Sequence, residues 1–394
     1  MTDVRPGPWL RLTAIAAAGA CLAAVVSGSL QLGAAHRVLA ALALPPLCAV
    51  VAAAWIAHRR LLRASGAALV SFLGAALVIT RPAHLGLAGL AFAAASVAAS
   101  GCFRGEPAPR APWRDYVTLT KPRIMTLLLL TGAAGMFVGA RGWPGAEVFV
   151  VTMVGLALAC GGASALNHVL DRDIDRLMPR TGSRPVAGNR VAPAHALEFG
   201  LALSAFSFVL LASLVNVLTA VLALVGNLFY VLVYTRWLKR STPQNIVIGG
   251  AAGAIPPLVG WAAVTGNLTV PALLLFLIVF FWTPPHFWAL ALLIKRDYAA
   301  VRIPMLPVVR GDDETARQIV WYSLVLFAVT LLPFAWHTAG LFYLAAAVLL
   351  GAVFLQLAWR LRRDTTPLRA RALFHFSLLY LALLFVALAV DPLL

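Results

Sequence analysis

Long apolar runs broken by short polar connections dominate this chain. Most runs are about 18–25 residues, the length that crosses a bilayer as helix. They are rich in Leu, Ala, Val and Gly and lack the alternating polar positions of barrel strands, which predicts helices. Thirteen spans are predicted. Four lie near 9–32, 36–57, 64–81 and 84–103. Nine more lie near 124–141, 146–168, 195–213, 216–234, 246–264, 270–294, 316–335, 339–359 and 372–391. Between the groups, "FRGEPAPRAPWRDY" carries three prolines and several charges and reads as a linker. The predicted class is all-α and polytopic, with an N-terminal four-helix membrane region (1–105) ahead of a nine-helix domain (106–394).

The connections alternate in character. One set is basic, with Arg172, Arg176, Arg180, Arg184 and Arg190, then Arg236, Lys239 and Arg240, then Lys295, Arg296, Arg302 and Arg310, then Arg360 to Arg371. The other set, "RGWPG", "LVN", "VTGN" and "WHTAG", is short and nearly uncharged. The positive-inside rule places the basic set in the cytoplasm and the C-terminus on the far side. Any chemistry is then expected at cytoplasmic helix ends of a protein in the cell (inner) membrane. "MTDVRPGPWLRL" before the first run reads as the start of a membrane anchor in preference to a cleaved signal.

Composition agrees. The chain is 62% hydrophobic and 11% charged. Its net charge of +17 belongs to the loops and not to a nucleic-acid surface. Cys21, Cys48, Cys102 and Cys160 lack paired spacing and read as small packing residues.

Acid is scarce, 14 residues in 394, yet Asp171, Asp173 and Asp175 cluster in "NHVLDRDIDRLMPRTGSR" (167–184). On a helix Asn167, Asp171 and Asp175 share a face, and Asp173 points elsewhere. One amide and two carboxylates form a hard-oxygen set suited to Mg²⁺, an ion that bridges carboxylates to substrate phosphates. Arg176, Arg180, Thr181 and Arg184 follow as donors for phosphate oxygens. A capped, salt-bridged helix end is the competing reading. The scarcity of acid elsewhere and the shared face favour a metal-held diphosphate.

Two further loops carry chemistry. "NLFYVLVYTRWLKRSTPQNIVIGGAAG" puts Tyr234, Arg236, Lys239 and Arg240 at a helix exit, before glycines that permit close helix approach. In "FFWTPPHFWALALLIKRDYAAVRIPMLPVV", Pro284 and Pro285 are expected to break the helix at membrane depth, beside His286.

"LTKPRI" (119–124), the aspartate motif, "YTRWLKRSTPQNIVIGGAAGAIPPLVGW" (234–261), "WTPPHFWALAL" (282–292) and "DYAAVRIPMLPVV" (297–309) together resemble the intramembrane prenyltransferases of the UbiA superfamily. The last two segments resemble its protohaem IX farnesyltransferase (haem O synthase) branch. The resemblance covers about residue 115 to the C-terminus. It implies a nine-helix bundle around a lipid-open cavity, with farnesyl diphosphate and haem B as substrates. Pyrophosphate leaves, the farnesyl group joins a vinyl of haem B, water completes the side chain, and haem O results. Asn167, Asp171 and Asp175 would hold Mg²⁺. Lys121, Arg123, Arg180, Arg184, Tyr234, Lys239 and Arg240 are the diphosphate-binding candidates, with Asp171, Asp175, Lys239 and Asp297 as catalytic candidates. Other branches often carry a second carboxylate pair four apart, but here Asp297 is followed at 301 by Val. Asp297 is left to hold a second Mg²⁺ alone or with Asp312 or Asp313.

His286 is open to two readings, a contact to haem iron or propionate, or a histidine satisfying backbone freed by the prolines. His168 points off the Asn/Asp face and reads as orienting or capping. The first four spans resemble half of a haem A synthase, with His36 and His84 opening the second and fourth helices. These two histidines either face each other across a haem or sit at the interface on packing helices. A haem A synthase is an expected partner. The alternatives in view are an aromatic prenyltransferase acting on hydroxybenzoate or a quinone precursor, and a non-catalytic transporter or haem-binding factor.

Overall fold

The computed structural model describes residues 8–29, 40, 42–51, 62–77, 91, 94, 95, 98 and 111–394. Among the described residues, nine helices are long and apolar enough to cross a membrane. They are α1 (Pro122–Ala140), α2 (Ala146–Leu170), α3 (Pro193–Leu214), α4 (Val217–Ser241), α5 (Asn245–Thr265), α6 (Val270–Leu293), α7 (Gly311–Ala335), α8 (Leu341–Arg363) and α9 (Pro367–Val390). These are the nine spans expected after residue 115. Helical geometry satisfies every backbone group internally, which hydrocarbon demands.

Each helix packs on the next, and α9 returns to α1. Inside that ring α5 crosses α1 and α6 crosses α9. The main core lies around α6 to α9, where Trp288, Tyr343, Phe354, Tyr380 and Phe385 are fully buried. Leu, Val and Trp side chains face outward, as lipid-facing helices require. Exposed Trp143 and Trp336 mark one end, and exposed Trp237 and Trp359 the other, in the manner of interfacial aromatic belts.

The uncharged connections end their helices tightly. Arg141, Gly266 and His337 each adopt left-handed backbone at φ 51, 68 and 54. Asn216 accepts from the Thr219 amide at 2.9 Å to start α4. Asp391, just past α9, accepts from the backbone N–H of Gly340 and Tyr343 and caps α8. The polar connections instead carry short helices: Arg172–Leu177, Lys295–Ala300 and Leu306–Val309. Another, Trp113–Leu119, precedes α1.

Two local expectations are corrected. First, the helix does not break at Pro284 and Pro285; α6 runs unbroken through both. The neighbouring helices bury this segment, and Thr283 donates to the Val279 carbonyl at 2.8 Å, adding a side-chain bond one turn back. Second, α4 reaches Ser241, seven residues beyond its expected end. Its last part, Phe229–Leu238, is π-helix, a wider turn that carries polar residues onward without a break.

Of the N-terminal spans, helices Pro8–Ser29 and Leu62–Leu77 are described, and Leu42–Val51 is a shorter apolar helix. Ala14, Ala17, Cys21, Leu47, Val50 and Ala68 form their own small apolar cluster. His36 and His84 lie outside the described residues.

The α1–α5 crossing depends on glycine. A Cβ on Gly260 would overlap the Gly132 carbonyl oxygen, whereas one on Gly253 of the same helix would meet nothing within 4 Å. Gly260→Ala is therefore expected to destabilise the bundle by about 2 kcal/mol, and Gly253→Ala to leave stability unchanged or raised. Thermal unfolding in detergent measures both; equal midpoints for the two variants would refute the close-crossing account.

Candidate active site

Helix α2 ends at Leu170, and its last turn brings Asn167 and His168 to the bundle edge. Asp171 closes α2, its amide bonded to the Asn167 carbonyl at 2.9 Å. A new helix starts at Arg172 with the Asp175 amide on the Asp171 carbonyl at 2.8 Å. Helical spacing thus survives the joint, and Asn167, Asp171 and Asp175 share one buried face at 3%, 0% and 2% exposure.

Buried carboxylates need countercharge. It arrives from three different segments. Lys239, at the exit of the π-helix, places Nζ 2.6 Å from Asp171 Oδ2. Arg184 places one guanidinium nitrogen 2.9 and 2.8 Å from the two oxygens of Asp175. Lys121, just before α1, donates to Asn167 Oδ1 at 2.7 Å. The Asn167 amide nitrogen donates to Asp171 Oδ2 at 2.7 Å and to Thr235 Oγ1 at 3.1 Å. Lysine can only donate and a carboxylate can only accept, so the orientation of the amide is fixed.

Lys121 is held in left-handed backbone, φ 51 and ψ 60, immediately before Pro122. A non-glycine residue there is strained, and such strain collects at functional sites. Burial pushes the Lys121 ammonium down to about 7, and the charges of Arg184 and Lys239 add to the repulsion. An arriving anion would hold the proton on.

The residues fit a divalent cation on one observation in particular. Asp171 Oδ1 is buried and accepts no hydrogen bond, although the rest of the network is closely paired. An unsatisfied buried carboxylate oxygen is costly, and a hard cation satisfies it. Among the described residues no group of three or more His, Cys, Asp or Glu is arranged to hold a metal, so the donors on offer here are two carboxylates plus an amide.

The remaining predicted residues separate. Asp173, set aside by spacing, receives two bonds of 2.7 Å from Arg240. That hydrogen bonding holds its carboxyl down at about 2. Arg240 also donates to the Leu170 carbonyl and comes 3.9 Å from Asp171, so it joins the two ends of the loop beside the site. Arg180 and Arg123 are exposed and make no ion pair among the described residues, leaving them available to an incoming anion. Tyr234 stacks on Tyr230 at 5.6 Å and rests on Gly249, where a Cβ would collide with its ring.

Asp297 is half-buried in the helix after α6 and makes no ion pair among the described residues. Its neighbour Tyr298 is raised above the usual phenol range by burial, and feels Arg180, Arg184, Asp171 and Asp297 together. Ile174 and Met178 share an apolar cluster with Tyr298, Ile303 and Met305, so the third loop lies near the first. Asp312 is bound to Lys295 at 2.6 Å. His168 caps nothing, since both ring nitrogens are buried without a partner. That excludes the capping half of its expected role.

Sequence reasoning missed two partners. Thr235 is reached only because the π-helix aims it, together with Lys239, at Asn167 and Asp171. Asp115 binds Arg190 at 3.0–3.1 Å. Nothing in the spacing pairs residues 75 apart. With Arg176 on the Ala187 carbonyl and on Asn189, and Thr181 on the Asp175 carbonyl, Arg190 makes the 171–190 loop a built structure.

The model of the UbiA prenyltransferase family matches residues 128–386. The chain belongs to this family. It is 53% identical over 284 residues to "Protoheme IX farnesyltransferase 1" of Pseudomonas putida (strain W619), covering 72% of this chain and 96% of that one. It is 50% identical over 316 residues to "Protoheme IX farnesyltransferase" of Roseiflexus sp. (strain RS-1). That match covers 80% of this chain and 57% of the Roseiflexus protein's own length. A protein of the same name from Roseiflexus castenholzii is 44% identical and matches 91% of this chain, so the similarity takes in residues ahead of the nine-helix bundle. Among solved structures, digeranylgeranylglyceryl phosphate synthase superposes with TM-score 0.60 at 17% identity, over 71% of this chain and 98% of that one. A UbiA homologue from Archaeoglobus fulgidus bound to GPP and Mg²⁺ superposes with TM-score 0.51 at 16% identity, over 70% and 99%. Both share the fold.

The Asp115–Arg190 pair anchors the loop that carries Arg184. Asp115→Asn is expected to speed amide exchange of Gly182, Gly188 and Arg190 about tenfold without moving the global unfolding midpoint. Unchanged exchange there would show that the loop holds its shape without this anchor.

Proposed function

We propose that the protein transfers the farnesyl group of farnesyl diphosphate to a vinyl group of protohaem IX (haem B), giving haem O and pyrophosphate. The observation that carries the chemistry is the buried pair of carboxylates at one helix end, met by cations from three segments. Its acceptor is drawn from the names of relatives at about 50% identity and from the segments around His286 and "IPMLPVV". No observation favours an aromatic acid or quinone precursor as acceptor.

Asn167, Asp171 and Asp175 would hold Mg²⁺. Bound there, the ion neutralises diphosphate charge and lets the anion approach the carboxylates. Lys239, Arg184 and Lys121 now pair with the residues that would hold that ion. Their long side chains can turn from carboxylate to diphosphate oxygens, supported by exposed Arg180 and Arg123 from the loop mouth. As the allylic C–O bond breaks, charge gathers on the departing diphosphate, and these donors stabilise it where it develops. The π pair of the vinyl group forms the bond to the farnesyl carbon as the C–O bond to diphosphate breaks; water adds to the carbocation left beside the porphyrin ring, and the proton it loses goes to solvent or the departing pyrophosphate. Asp297, beside Tyr298, is the further carboxylate available to a second Mg²⁺.

Positive-inside asymmetry supports a site on the cytoplasmic face of the cell membrane, with the C-terminus opposite. The N-terminal region is read as a separate membrane unit of about 105 residues, suited to delivery of haem or docking of a haem A synthase.

Incubating the detergent-solubilised chain with farnesyl diphosphate, haem B and Mg²⁺ is expected to yield the hydroxyethylfarnesyl haem by mass. Chelation should abolish it. Asp171→Asn should lower turnover by about 10²–10³-fold with the fold intact. Normal turnover in that variant rules out the metal reading, and an aromatic acid accepted in place of haem rules out the acceptor.

A further inference from the structure

His286 lies in the middle of α6's buried face, 7% exposed. Its ring is held between Trp282 and Phe374, with ring centres at 4.4 and 4.9 Å and planes within 15° and 21°. Its Nδ1 is 2.6 Å from Ser377 Oγ on α9. The same Oγ is 2.6 Å from the Phe374 carbonyl oxygen.

The serine has one hydroxyl proton. A carbonyl oxygen can only accept, and two oxygens at that separation with no proton between them repel. The hydroxyl proton is therefore spent on Phe374. Toward His286, Ser377 Oγ can only accept, so Nδ1 carries the ring proton and Nε2 carries the lone pair. Ser377 also holds one face of the sandwich, because Trp282 Nε1 donates to its backbone carbonyl at 2.8 Å. Among the described residues Nε2 makes no hydrogen bond, and it keeps some free surface, unlike the two sealed nitrogens of His168.

We propose that Ser377 is a positioning residue that locks His286 as the Nδ1–H tautomer, so that Nε2 is presented as a neutral nitrogen ligand to the iron of the haem acceptor. This rests on the haem reading of the site. A histidine that merely satisfied backbone freed by Pro284 and Pro285 would direct its proton to a carbonyl of α6; among the described residues its ring bonds across to α9 instead. The neighbouring aromatic rings leave no freedom to turn the imidazole, so the tautomer is the remaining variable, and Ser377 decides it.

The test uses the full chain in detergent, titrated with ferric haem B and followed by its absorption spectrum, alongside the farnesyl transfer assay. Wild type is expected to show a histidine-ligated spectrum that His286→Ala removes. Ser377→Ala should weaken haem binding about tenfold or more, the range seen when the partner of a ligating histidine is lost. Ser377→Thr keeps the hydroxyl and should restore binding. Nitrogen-15 shifts of labelled histidine, assigned by His286→Gln, should report the Nδ1–H form in wild type and its loss in Ser377→Ala. Two results overturn the proposal: an Nε2–H tautomer in wild type, or identical haem spectra in wild type, Ser377→Ala and His286→Ala. If those spectra are identical while wild type still farnesylates haem, the acceptor reading stands and this assignment alone falls. If wild type neither binds nor farnesylates haem, both fall.

Discussion

A carboxylate buried at a lipid boundary stays charged only where countercharge is supplied, and most of the site's construction follows from that requirement at Asp171 and Asp175. Lys239 comes from the end of α4, Arg184 from the loop after α2, and Lys121 from the turn before α1. Three segments far apart in sequence are tied to one helix face. Each pairing costs desolvation, and stability alone gives little reason to keep it, since buried ion pairs are commonly replaceable by apolar packing. Under the proposed function their value lies in exchange. Cations held beside carboxylates would already be concentrated where the diphosphate is proposed to sit, on side chains long enough to change partner.

That exchange needs a rigid frame, and the frame is built from small residues and from one irregular helix. Gly132 and Gly260 bring α1 and α5 into backbone contact, which sets the position of Lys121 at the head of α1. The π-helical turn at Phe229–Leu238 rotates the facing of the residues at the end of α4, so that Thr235 and Lys239 both reach the α2 end. Gly249 leaves room for Tyr234 behind them. Strain at Lys121 and the irregular register of α4 are thus local costs, offset by packing elsewhere in the bundle.

Much of this architecture was legible in the chain. Hydropathy gives the nine spans because lipid allows few other solutions, and loop charge gives their alternation. The four-residue spacing of Asn167, Asp171 and Asp175 selects the buried face and excludes Asp173, as the structure has it. Features that depend on backbone detail, or on pairs distant in sequence, could not be read. No local signal marks the left-handed Lys121 or the widened turn in α4. Asp115 looks like any helix-start acid until Arg190 reaches it. The prolines at 284 and 285 predict a break, because single-helix reasoning omits the neighbours that bury the segment and hold it straight enough to continue.

The same neighbours explain why the bundle must close. Helix α6 carries His286, but the group that sets its tautomer sits on α9, 91 residues later. Helix α9 in turn packs on both α6 and α1. The helix that begins at Lys121 and the helix that orients His286 are therefore direct neighbours. A change in the α1–α5 crossing shifts α1 against α9 and so reaches both the diphosphate end and the aromatic sandwich. Under the proposed function, two events that must meet at one carbon, departure of pyrophosphate and attack by the acceptor, fall on helices packed directly against each other.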